Sequence, residues 1–130
     1  LPRFIQSLGD NFSFFCLVFG KSKCDFLRSL DVLVMPTYFE GLPMSLLECM
    51  SYGIVPVITP VGSIPEVVVD GNNGLFIKVK DTDCIVEAIR KINSDRNLLN
   101  KLSVNARETI FSKFSPQQYI SQLNHIYQAG

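Results

Sequence analysis

Two short runs, Asp31-Val32-Leu33-Val34-Met35 and Val55-Pro56-Val57-Ile58-Thr59, are apolar at almost every position. A strand with one wet face alternates polar and apolar side chains, whereas a strand covered on both faces does not. These runs therefore predict strands of a parallel sheet with helices on either side. The segments around them agree. Phe12 to Phe19 is a further continuous apolar run ending at Gly20 and reads as another buried strand. A short helix is expected from about Ser22 to Leu30, with Phe26, Leu27 and Leu30 inward. Pro36 stops the second strand, and a helix from about Pro43 to Tyr52 ends at Gly53. After the Val55–Thr59 strand, the turn Asp70-Gly71-Asn72-Asn73-Gly74 leads into a short strand, Leu75-Phe76-Ile77.

The remainder is helical. Asp81 caps a helix whose apolar positions Ile85, Ala88, Ile89 and Ile92 recur at helical spacing. Leu98, Leu99, Leu102, Ala106 and Ile110 define a second helix, and Ser115-Pro116 opens a third with Tyr119, Leu123, Ile126 and Tyr127. The reading is one α/β domain over residues 1–130, without internal repeats.

Charge narrows the function. Twelve acidic and twelve basic residues are well mixed, so there is no basic face of the kind that nucleic-acid binding requires. Any anion must be held by a local site. The four cysteines, Cys16, Cys24, Cys49 and Cys84, lie in or beside apolar runs and lack metal-finger spacing. They read as reduced core thiols of a cytoplasmic protein. With one histidine in the chain, no structural zinc site is expected. The apolar run Phe14 to Phe19 is too short to cross a bilayer, and no signal-peptide pattern opens the sequence.

In such sheets, ligands bind beyond the carboxyl ends of the strands. Three loops fall there: Gly20 to Asp25, Pro36 to Pro43, and Thr59 to Pro65. The second, Pro36-Thr37-Tyr38-Phe39-Glu40-Gly41-Leu42-Pro43-Met44-Ser45, runs straight into a helix, whose first amides and positive dipole end suit phosphate. Gly41 allows close backbone approach. Glu40 and Glu48 frame the helix start, and each carboxylate can accept hydrogen bonds from paired hydroxyls of a sugar or a ribose.

The run EGLPMSLLECMSYGIVPVITPVGSIPEVVVDGNNGLFI resembles the core signature of family 4 (group 1) glycosyltransferases. Two glutamates separated by seven residues are followed there by a small-residue helix end, a strand and a Gly-containing loop with Pro-Glu. The similarity extends from the strand at Asp31 and its preceding helix to FSPQQY and the tyrosine helix beyond it. Pro43 stands where many members have glycine. The resemblance implies a Rossmann-like parallel sheet flanked by helices, an incomplete C-terminal half of a two-domain GT-B enzyme. It implies a retaining transferase that uses a UDP- or GDP-linked sugar as substrate, with no metal and no cofactor, in glycan or polysaccharide synthesis. Glu40 would be the catalytic-site acid on the donor sugar, and Glu48 would hold the ribose. Gly41, Leu42, Met44 and Ser45 would approach the sugar and diphosphate. The Gly20 to Cys24 loop, with Lys23, would lie along the base.

Other signals read as structural. Ser63 and Glu66 fit a capping box, and Thr59, Gly62 and Ser63 border the site. Asp81-Thr82-Asp83 imitates a metal-binding DxD but opens a helix, where acids are favoured. Asp70 to Gly74 lacks the spacing of a calcium loop, His125 lies among polar residues, and Arg107 and Lys113 lie at the wrong end for phosphate.

The family's domain opens with two further strand–helix units, the first carrying an arginine and a lysine that clamp the diphosphate, in strand order 3-2-1-4-5-6. Without them, an exposed apolar edge, self-association and an inability to transfer sugar alone are expected, the missing N-terminal domain being the natural partner. The resemblance also allows peripheral membrane contact by the full-length enzyme. A non-catalytic nucleotide-binding module and a structural remnant with an empty site are the alternatives.

Overall fold

The computed structural model describes residues 11–13, 15 and 17–114 of the chain. Along them run α1 (Gly20–Arg28), β1 (Val32–Met35), α2 (Met44–Ser51), β2 (Val55–Ile58), α3 (Ile64–Val67), β3 (Leu75–Phe76), α4 (Thr82–Ser94) and α5 (Arg96–Lys113). The strands form one parallel sheet in the order β1-β2-β3, with Val32 beside Val55 and Val57 beside Leu75. The central strand is buried at all four positions, as its unbroken apolar sequence requires, whereas β1, expected to be buried as well, lies at the edge of the described sheet and is half-buried with Val34 exposed.

Side chains alternate across a sheet, so each strand feeds two cores. Leu33, Met35, Ile58 and Phe76 meet Leu46 and Met50 of α2, Ile64 and Val67 of α3, and Ala106 of α5. Val32, Val55, Val57, Leu75 and Ile77 meet Ile92 of α4 and Leu99 and Leu102 of α5. The long helix α5 thus contributes to both cores. Burying each of the larger side chains removes enough apolar area to contribute about 1.5–3 kcal/mol.

Two residues that look out of place are accommodated by their neighbours. Pro56 sits inside the central strand. Val55 donates its amide to Asp31 on the β1 side at 3.0 Å, so the next position, Pro56, faces β3, which begins only opposite Val57. The missing N–H of Pro56 therefore costs no ladder bond. Gly74 makes room for the ring, since a Cβ there would lie 2.7 Å from Pro56 Cγ. At the end of α2, Gly53 takes a left-handed φ of 78°. Its amide reaches Met50 at 2.9 Å, while that of Ile54 reaches Cys49 at 3.1 Å, the paired closure that a C-terminal glycine permits.

The Asp70–Gly74 segment is a turn, and it is anchored from inside. Asn73 is buried; its side chain accepts from Val69 N at 2.7 Å and donates to Val67 O and Thr109 Oγ1, both at 2.9 Å. Asn105 of α5 donates to Asn72 O at 2.8 Å. Every polar atom of this buried side chain is thus used, which ties the β3 turn to α5.

Two further expectations need correction. The described residues of 12–19 form no strand: β1 pairs only with β2 among them, and Phe15, Leu17 and Phe19 are exposed. A strand needs a partner for its amides and carbonyls, and among the described residues no strand pairs with this run, although the outer edge of β1 is open. The helix expected at Ser22–Leu30 begins at Gly20 and ends at Arg28, closed by Ser29 N donating to Phe26 O at 3.0 Å. The third C-terminal helix, from Ser115, lies outside the described residues, as does Cys16.

Asp81 caps α4 as expected. Cys84 N donates to one carboxylate oxygen at 3.1 Å, and the Cys84 thiol donates to the other at 3.0 Å. The thiol, then the Cys84 amide, holds the Asp81 carboxyl below its ordinary value, and the same contact pushes the thiol up. A lowered carboxyl stabilises the fold above the ordinary carboxylate range, and that contribution disappears as pH falls through the lowered value. Asp81→Ala should therefore melt below wild type at neutral pH, and the gap should close in acid; paired thermal melts across pH check this.

Candidate functional site

The loop from Pro36 to Pro43 leaves the carboxyl end of β1 and is held by backbone and hydroxyl contacts. Thr37 N donates to Met35 O at 3.0 Å, and Thr37 Oγ1 donates to Phe39 O at 3.2 Å. The buried Thr59, at the end of β2, donates its hydroxyl to Thr37 O at 2.6 Å. Next to it, Gly62 has a φ of 57° and presses its backbone against Glu40. A Cβ at Gly62 would collide with the Glu40 carbonyl and sit 2.9 Å from Gly41 O. Ser63 N donates to Gly41 O at 3.1 Å. The β2–α3 loop thus fixes where Glu40 and Gly41 stand.

That contact explains a further correction. Ser63 does not form a capping box with Glu66: its side chain makes no cap bond, and its amide is spent on Gly41. Glu66 N donates only to Ser63 O, at 3.1 Å. Loop-to-loop anchoring has displaced local capping.

From Gly41 the chain enters α2. Pro43 is extended and stands as the residue before the helix, which starts at Met44 rather than at Pro43. No side chain caps this end and no acid occupies the first turn, so the first amides of α2 remain available to a ligand. Met44, Ser45 and Gly41 are exposed, while Leu42 and Glu40 are half-buried. Helix α1 starts in the same way, with no side-chain cap and no acid in its first turn. The Gly20–Cys24 segment is therefore not a loop but this first turn, which Gly20 opens at a left-handed φ of 57°. By contrast, α4 and α5 are capped by Asp81 and Asp95.

The two bare helix starts are joined by an ion pair that the sequence did not suggest. Lys23 Nζ lies 2.7 Å from Glu48 Oε1, with both side chains about two-fifths exposed (42% and 39%). The hydrogen bond to Glu48 raises the Lys23 ammonium above its ordinary value, so the pair persists through neutral pH. Behind it, burial pushes the Cys49 thiol up, and a hydrogen bond with Cys24 raises the Tyr52 hydroxyl. Lys23, Cys24 and Glu48 are thus brought together, and Glu40 and Gly41 are set against Gly62 and Ser63. Helical periodicity places Lys23 and Glu48 on their own helices but cannot show that those helices are neighbours.

A parallel strand that leads at its carboxyl end into an uncapped helix, as β1 leads into α2, is an arrangement suited to holding an anionic ligand. Residues 6–109 match the family described as Glycosyl transferases group 1, and the chain belongs to that family. It is 29% identical over 103 residues to the N-acetyl-alpha-D-glucosaminyl L-malate synthase of Bacillus anthracis, covering 79% of this chain and 27% of that protein. The structure of a sucrose-phosphate synthase from Thermosynechococcus elongatus aligns with a TM-score of 0.86 at 23% identity, covering 98% of this chain and 32% of the other. Anabaena Alr3699/HepE in complex with UDP aligns at 0.78 and 18% identity, over 86% and 31% of the respective chains. The fold is the Rossmann-like fold of GT-B glycosyltransferases. The chain spans about a quarter to a third of the length of these proteins. Among the described residues, no helix is long and apolar enough to cross a membrane.

Gly62→Ala tests the anchoring of the site. A left-handed, crowded alanine should destabilise the fold by roughly 1–3 kcal/mol and displace the Glu40–Gly41 backbone. Chemical denaturation and amide shifts of residues 38–45 measure the two effects.

Proposed function

We propose that this chain is the donor-binding half of a retaining glycosyltransferase that takes a nucleoside-diphosphate sugar, UDP- or GDP-linked, in glycan or polysaccharide synthesis. The observation that carries the reading is the uncapped start of α2 between two carboxylates, Glu40 and Glu48. An anion such as diphosphate satisfies the free amides of that helix, while hydroxyls satisfy the carboxylates. A ligand with diphosphate flanked by a sugar and a ribose has both chemistries in the right order. Family membership supports sugar transfer, and a neighbour of the same fold is in complex with UDP.

In this reading Gly41, Leu42, Met44 and Ser45 meet the sugar and diphosphate, Glu40 meets the sugar hydroxyls, and Glu48 meets the ribose. Gly20, Lys23 and Cys24, on the first turn of α1, border the base and ribose. The bond from the anomeric carbon to the diphosphate breaks, and a bond to the acceptor oxygen forms on the same face. The acceptor proton passes to the departing diphosphate, so neither a protein nucleophile nor a metal is needed. Most of the acceptor site and the opposite wall of the cleft belong to an N-terminal domain, and the chain alone should not transfer sugar. The outer edge of β1 has no partner strand among the described residues, and Val34, Leu17 and Phe19 are exposed, which supports self-association of the isolated chain.

Calorimetric titration of the chain with UDP, GDP, ADP and their sugar conjugates tests the donor reading. Saturable binding that prefers one base is expected, weakened about tenfold by Glu48→Ala through the loss of a charge-assisted acceptor. Absence of binding by every nucleotide, or binding indifferent to Glu48→Ala, would overturn it.

A further inference from the structure

A second cleft opens at the carboxyl end of the sheet, beside the loop that carries Glu40. It has a volume of about 320 Å³ and is lined by Tyr38, Lys78, Lys80, Asp81, Thr82 and Ile85. Tyr38 comes from the loop after β1, two residues before Glu40, and the other five come from the loop after β3 and the start of α4. The donor reading uses none of these side chains.

Three observations give the cleft a chemistry. First, Lys78 and Lys80 form no ion pair with a described residue, and Asp81, the one acid in the lining, has both carboxylate oxygens engaged by Cys84. The cleft therefore presents two ammonium groups against a carboxylate already committed to the helix end. Secondly, the Lys80 Nζ lies 5.9 Å from the centre of the exposed Tyr38 ring, which is within reach of a cation–aromatic contact and sets a flat wall opposite the charge. Thirdly, Lys80 has a φ of 62°, the one non-glycine residue in left-handed backbone among those described. Glycine would hold this turn at lower cost. A lysine retained there places its ammonium over the cleft at the expense of backbone strain, a pattern that clusters at ligand sites.

We propose that this cleft is a second anion subsite, separate from the donor site, which takes a phosphate or carboxylate group joined to a ring or chain that lies against Tyr38. Its place beside the Glu40 loop makes the acceptor the molecule that carries this group, and that assignment alone rests on the donor reading. Lys78 and Lys80 hold the anion, the Thr82 hydroxyl is within the same lining to donate to it, and Tyr38 and Ile85 cover the attached carbon skeleton. The anionic group can belong to a soluble phosphate ester or to a lipid phosphate, because the chemistry held by the two lysines is shared.

Amide and lysine-side-chain NMR of the chain, titrated with inorganic phosphate, glycerol 3-phosphate and bicelles with or without phosphatidate, tests this. Saturable shifts at Tyr38 and residues 78–83 are expected with phosphate. Glycerol 3-phosphate should bind more tightly, and phosphatidate bicelles should do so only if lipid phosphate has access. A Lys78→Ala/Lys80→Ala variant should bind about tenfold more weakly, having lost two charge-assisted contacts. Lys101→Ala, at an exposed position of α5 outside the cleft lining, should bind as wild type. Lys80→Gly separates folding from binding: it should melt no lower than wild type while losing affinity. Shifts confined to Met44 and Ser45, displacement of phosphate from residues 78–83 by UDP, or equal loss in Lys101→Ala would each overturn the proposal. If UDP fails to bind while phosphate still shifts residues 78–83, the donor reading fails and the subsite stands.

Discussion

The site rests on one backbone contact. Gly62 lies so close to Glu40 and Gly41 that a single methyl group would not fit, and the amide of Ser63 closes the same seam on Gly41. Because β2 is the buried centre of the sheet, this seam transmits the rigidity of the core to a loop that otherwise has little to hold it. The Thr59 hydroxyl on Thr37 repeats the arrangement one turn earlier in the loop. A carboxylate and a helix start meant to meet a ligand must be fixed before the ligand arrives, and here that is done by the neighbouring strand rather than by their own chain.

The caps show where the molecule spends its own acids and where it leaves room for another. Asp81 and Asp95 satisfy the first amides of α4 and α5. The starts of α1 and α2 have neither a cap nor a first-turn acid. Lys23 joins these two ends by holding one oxygen of Glu48 at 2.7 Å, which sets an ion pair beside amides that favour an anion. Charge of both signs at one place suits a ligand with phosphate and hydroxyl groups together, and suits a simple anion less well.

Much of this was legible in the residues. The unbroken apolar runs at Val32–Met35 and Val55–Ile58 marked two strands, of which β2 is buried throughout while Val34 of β1 is exposed, and Gly53 marked the end of α2. Glu40 and Glu48 were readable as a pair framing a helix start. What escaped depended on contacts between elements distant in sequence. Phe12 to Phe19 has a strand's composition, but composition cannot supply a neighbour, and the described part of it forms no strand. Ser63 and Glu66 have the spacing of a capping box, yet Ser63 binds Gly41, which no local pattern shows. Asn73 looked like a turn residue and is the buried tie between the β3 turn and α5. The Lys23–Glu48 pair and the Tyr38–Lys80 cleft likewise exist only once distant helices and loops are set side by side.

The central claim is that the uncapped start of α2 receives the diphosphate of a nucleotide. Amide chemical-shift mapping of the chain with UDP and with GDP addresses it most directly, because it reads the proposed donors themselves. The account predicts that the amides of Gly41, Met44 and Ser45 move most, with smaller shifts at Lys23 and Cys24. Saturable binding that leaves the Met44 and Ser45 amides unmoved would contradict it.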